Sequence, residues 1–181
     1  MGKGKLFGLL AVFAAVGLVT ASGAFTTVSA ERTATVNVAG DESALLALEP
    51  TDGPNGGGTG DDGYARIQNG ELEINLAGYN TSASGVNPNA TTDVDSVFRI
   101  TNQGTQEVNV TISDSGDNPG AVTFYNGTEA ALPGGIESNG VILAPGESVV
   151  VSIEVDTNTA GVSANDNLVD GITITAEATG N

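Results

Sequence analysis

Residues 64–76, YARIQNGELEINL, decide the fold class. In their second half Leu72, Ile74 and Leu76 fall on one face and Glu71, Glu73 and Asn75 on the other, and this period of two belongs to a strand with one face buried. YARIQ reads as the facing strand. Asn69-Gly70 between them forms a two-residue turn that needs positive φ at both positions, a strong local signal for a β-hairpin.

The same grammar continues outward. VDSVFRIT (94–101), Asn102-Gln103-Gly104-Thr105 and QEVNVTIS (106–113) predict a second hairpin, with Val108, Val110 and Ile112 on one side of its later arm. AVTFY (121–125) followed by Asn126-Gly127, a segment over 136–143, ESVVVSIEVD (147–156) and GITITAEA (171–178) add further strands. Eight to ten short strands with turn residues between them predict an all-β chain, an antiparallel β-sandwich or jelly roll. DESALLALEP (41–50) stays open between a short helix capped by Asp41, carrying Leu45 and Leu48, and another strand. Aromatic residues are few beyond residue 30 (Tyr64, Tyr79, Phe98, Phe124 and Tyr125), so Val, Ile, Leu and Ala must fill the core. Two stretches, 51–63 and 79–93, are loops by their Gly, Asn, Asp, Ser and Pro content.

Before the sandwich, which spans 41–181, stands a different kind of sequence. Lys3 and Lys5 precede an apolar run and a small-residue pattern ending Val28-Ser29-Ala30, so residues 1–30 read as a signal helix cleaved after Ala30, with a retained membrane anchor as the alternative. All 22 acidic residues lie beyond Ala30 and face only Arg32, Arg66 and Arg99 there, and the whole chain carries a net charge of −17. Such a surface repels phosphate backbones and anionic headgroups, which argues against nucleic-acid partners and against any membrane contact except through the leading segment. Acid excess without lysine also suits concentrated salt, where repulsion is screened over a few ångströms. The chain has no cysteine, and the residues after the signal have no lysine, so an exported form has neither disulfides nor lysine isopeptide bonds.

Candidate chemistry is sparse. Asp52, Asp61 and Asp62 lie in the glycine-rich loop, but Pro54 and Gly56 occupy places where an EF-hand needs ligands, so a solvated acidic loop is expected there rather than a calcium site, and no cofactor. Four Asn-x-Ser/Thr sequons, at Asn80, Asn89, Asn109 and Asn126, are candidate glycan acceptors in an exported chain, and all four are expected to be accessible. Without histidine, and with cysteine and lysine missing beyond residue 30, the usual nucleophilic triads and the His-Glu-x-x-His zinc site cannot be built. The absence of tryptophan argues against a sugar cleft. A non-enzymatic protein is expected.

GAFTTVSAERTATVNVAGD (23–41), VFRITNQGTQEVNVTI (97–112) and LAPGESVVVSIEVDT (143–157) resemble a secreted haloarchaeal family of unassigned function. That family is distantly similar to the TasA and camelysin biofilm-matrix proteins and to archaeal bundling pili. The resemblance implies a jelly roll whose subunits join by donor-strand complementation, each filling a groove in the next with its N-terminal strand. The protease activity described for camelysins does not transfer to a chain without histidine.

ERTATVNVAG (31–40) meets the requirements of a donated strand. Thr33, Thr35 and Asn37 alternate with the small apolar Ala34, Val36 and Val38, and ten extended residues reach about 33 Å. Head-to-tail donation does not close, so it builds a homopolymer at the cell surface or in a secreted matrix. The alternatives are that this strand pairs within its own domain, and that the chain is a monomeric, surface-anchored adhesin or binding module.

Overall fold

The hairpin forms as its sequence dictates. In the computed structural model, which describes residues 39–180 apart from 54, 58–62, 80–81, 128–134, 159–160 and 165, β2 (Ala65–Gln68) and β3 (Glu71–Ile74) pair antiparallel from Gln68↔Glu71 to Ala65↔Ile74. Asn69 (φ 55°) and Gly70 (φ 87°) make the turn, both left-handed as the Asn-Gly pair requires. The hairpin is also tied to the residues around Asp41. The Leu72 N–H donates to Asp41 Oδ2 at 2.7 Å, and the Asp41 N–H donates to the Gly70 carbonyl at 2.8 Å.

The chain is an all-β antiparallel sandwich. Besides the hairpin, β1 (Leu46–Pro50), β4 (Thr91–Asn102), β8 (Ser148–Asp156) and β6 (Val122–Asn126) form a four-stranded sheet in the order β1-β4-β8-β6. The other sheet, β7-β5-β9, combines β7 (Val141–Leu143), β5 (Val108–Ser115) and β9 (Gly171–Ala178). These nine strands among the described residues fall within the predicted eight to ten. The described residues belong to one compact unit, Asn37–Asn181.

Phe98 and Ile100 of β4, Val110 and Ile112 of β5, Phe124 of β6, Leu143 of β7, and Val151, Ile153 and Val155 of β8 form the core, nearly all completely buried. At roughly 1.5–3 kcal/mol per fully buried aliphatic or aromatic side chain, these residues supply the main driving force for closing the two sheets. Segment 41–50 takes the strand option: Leu48 lies in β1, and the 3-10 turn before it covers only Asp41–Ser43, with the Asp41 carboxylate bonded to the Leu72 N–H rather than capping a helix. Leu45 is 78% exposed just ahead of the strand. Pro50 ends β1, which is an edge strand, where its missing N–H costs no ladder bond.

Two sequence expectations are corrected. β4 and β5 do not pair as a hairpin: β4 pairs with β1 and β8, and β5 with β7 and β9, so the chain arches from one sheet to the other. Asn102, 2% exposed at the end of β4, holds the arch. Its Nδ2 donates to the Gln106 carbonyl at 2.7 Å and to the Leu143 carbonyl at 2.9 Å, and its Oδ1 accepts the Gly104 N–H at 3.0 Å. Because both strands carry an apolar face, facing each other across the core buries more than lying side by side would. The second correction concerns 136–143, where a helical turn, Ile136–Asn139, ends at left-handed Gly140 (φ 63°) and leaves β7 only three residues.

Candidate functional site: an apolar trough at the open seam

β6 ends one sheet and β9 ends the other. The floor between them is made by Val122 and Phe124 of β6, Ile153 and Val155 of β8, and Ile172 of β9, the inward residues of three alternating strands. The result is a trough of about 870 Å³. Its long rim comes from residues 74–77 and 82–89 and from 162–164 and 166–169, which contribute Leu76, Val86, Leu168 and Val169 among smaller residues. Val122 and Phe124 are buried, whereas Ile172 and Ile174 of β9 are only half-buried on an edge strand. Among the described residues β6 has no partner strand but β8, apart from a single bridge between Tyr125 and Gly135, and β9 has none but β5. Along β9 the seam therefore pairs apolar side chains with a strand edge that can extend a ladder.

Chemically the trough is plain. Asp166 is the charged residue of its described lining, and its carboxylate is already engaged: Oδ2 accepts the Ser163 N–H at 2.7 Å and the Asn118 Nδ2 at 3.3 Å. An apolar floor with a rim of mixed polarity suits an extended chain whose side chains alternate in polarity.

The longest strand carries a local irregularity of the sandwich. Between Val94↔Ile153 and Phe98↔Val151, three residues of β4 face the single Ser152 of β8, and Ser96 takes φ 55°. Ser152, fully buried, accepts the Ser96 N–H with its Oγ at 2.9 Å and donates to the Gly127 carbonyl at 2.9 Å. Thr51 Oγ1 bonds the Ser96 carbonyl, and Asn55 Nδ2 donates to the Asp95 carbonyl at 2.8 Å. This bulge is why both Val97 and Phe98, adjacent in sequence, are buried.

On the hairpin, Arg66 bonds Glu73 at 2.9 Å and stacks 3.9 Å from the Tyr79 ring centroid. Burial, aided by the Glu73 charge and opposed by Arg66, pushes the Tyr79 hydroxyl up to about 12. Asp156, at the end of β8, is held below the usual carboxylate range because the side chain and backbone amide of Asn158 both donate to it.

The predicted site residues are scattered. The candidate donor strand Thr33–Val38, the cleavage position Ala30, the sequon Asn80, and Asp61 and Asp62 lie outside the described residues. Asp52 is exposed, and no group of three metal-ligating side chains occurs among the described residues. Asn89 is exposed and lines the trough, and Asn126 is exposed at the end of β6. Asn109 departs from expectation. It lies on the outward face of β5 but is half-buried, and its Oδ1 is buried without a hydrogen-bond partner. Gly140 approaches so closely that a Cβ there would sit 2.3 Å from that oxygen. The trough itself escaped the sequence reading. The unequal alternation of GITITAEA, which fills only one face of an edge strand, was its one local signal.

Fold and seam together define a class: an antiparallel sandwich with an apolar trough between its terminal strands. The chain belongs to the family described as Protein of unknown function (DUF1102), which matches residues 58–180. No curated protein matches the chain.

Proposed function

We propose that this chain is a non-enzymatic structural subunit of an extracellular filament or matrix, and that the trough is the acceptor for the Thr33–Val38 strand of a second copy. The carrying observation is the trough between β6 and β9, with its apolar floor and the extendable edge of β9. The alternation of ERTATVNVAG fits such a floor, with Ala34, Val36 and Val38 turned inward. Their burial contributes about 3–5 kcal/mol at roughly 25 cal/mol per Å², and each ladder bond adds about 0.5–1.5 kcal/mol. The resemblance of the leading segment and two strand motifs to a secreted haloarchaeal family, itself distantly similar to the TasA, camelysin and bundling-pilus group, supports the same assembly. In this reading the chain is secreted or held at the cell surface, and because β1 is laddered to β4 the tether of the donated strand lies ahead of Leu46, not in the glycine-rich 51–63 stretch.

The test uses a chain lacking Glu31–Gly40 and a synthetic peptide of that sequence. The truncated chain should be a folded monomer that binds the peptide one to one and melts at a higher temperature with it. A peptide with Asp at positions 34, 36 and 38 should do neither. An unfolded or aggregated truncated chain would mean that the strand belongs to its own domain. A folded truncated chain indifferent to the peptide would favour the monomeric binding module.

A further inference from the structure

Asn89 is presented as a modification acceptor should be. The turn carrying it is closed by Thr157, buried to 6% exposure. Thr157 Oγ1 lies 2.8 Å from the Asn87 carbonyl oxygen and 2.9 Å from that of Ala90, and it accepts the Ala90 N–H at 2.9 Å. The Thr157 N–H donates to the same Ala90 carbonyl at 2.9 Å. This clamp fixes the backbone on either side of Asn89, which takes φ 52° and is exposed, with Thr91 of the same sequon also exposed. Asn109 is the opposite case. It sits in the central strand of its sheet between Ile142 and Glu177, half-buried and pressed against Gly140.

We propose that Asn89 carries an N-linked glycan and that Asn109 does not, so that a sugar stands on the rim of the trough. In the transfer, Asn89 Nδ2 bonds to the anomeric carbon of a sugar linked to a lipid phosphate. The bond from that carbon to the phosphate oxygen breaks, the lipid phosphate leaves, and the nitrogen gives one proton to a base of the transferring enzyme. The position is significant because Asn89 lines the trough, where a hydrated sugar limits what can enter. The inference rests on export of the chain and is independent of strand donation.

Glycopeptide mass spectrometry of the full chain, collected from the medium and surface of the cells that make it, tests this. The Asn89 peptide should carry sugar mass and the Asn109 peptide none. Thr91→Ala should abolish the Asn89 modification while unfolding stays cooperative, because Thr91 is exposed. A bare Asn89 or a modified Asn109 on exported chain overturns the assignment and leaves the strand-acceptor reading standing. A chain recovered only from inside the cells overturns export and the glycan together.

Discussion

At the residue scale, a few buried polar side chains decide what the apolar residues cannot. Asn102 joins the β4–β5 arch to the end of β7, and Asn102→Ala would strand the Leu143 carbonyl without its donor. We expect a loss of about 2–4 kcal/mol, read by chemical denaturation in high salt. Ser152→Ala should cost about 1–3 kcal/mol by the same measure, because it removes the hydroxyl that bonds both the Ser96 N–H and the Gly127 carbonyl. Tyr79 gives a signature in alkali. A hydroxyl whose folded pKa is raised stabilises the fold fully below its unfolded pKa near 10, and that contribution disappears as pH rises to about 12. Stability should therefore fall across that window, and Tyr79→Phe should flatten the fall. Asp156 works in the other direction. Its depressed pKa contributes above the ordinary carboxylate range and is lost as pH falls through the folded value, so Asp156→Asn should matter near neutrality and cease to matter in acid.

At the element scale, what was legible in the sequence is what is decided locally. The β2–β3 hairpin was readable because Asn69-Gly70 supplies the turn and alternation supplies the register, all within thirteen residues. β8 and β9 were readable from period two alone. The arch was not, since nothing in Asn102-Gln103-Gly104-Thr105 distinguishes a turn within one sheet from a crossing between two. That choice depends on the Leu143 carbonyl, 41 residues away. The bulge did leave a trace, because apolar residues at 94, 97, 98 and 100 break strict alternation. Gly140 was readable as a turn residue, but its contact with Asn109 was not. Gly140→Ala combines a left-handed φ with a clash and should destabilise by about 1–3 kcal/mol in thermal unfolding.

At the scale of the whole molecule, two properties come from sums rather than from single residues. The net charge of −17 is spread over a chain with few basic partners, so its self-repulsion depends on ionic strength. Raising salt from about 0.1 M to 1 M shortens the screening length from about 10 Å to 3 Å, and the melting temperature should climb by several degrees. Greatest stability in dilute buffer would contradict the reading of the chain as salt-adapted. The trough is likewise a property of the assembly, formed only where the last strands of two sheets fail to meet. Its one local trace in the sequence is the one-sided alternation of β9.

The central claim concerns which molecule fills that seam, and a density map of assembled material at side-chain resolution examines it directly. The account predicts residues 33–38 of one subunit lying along β9 of its neighbour, with Ala34, Val36 and Val38 over Phe124 and Val155. The same residues laddered into their own subunit, with the neighbour's trough left unfilled, would contradict it.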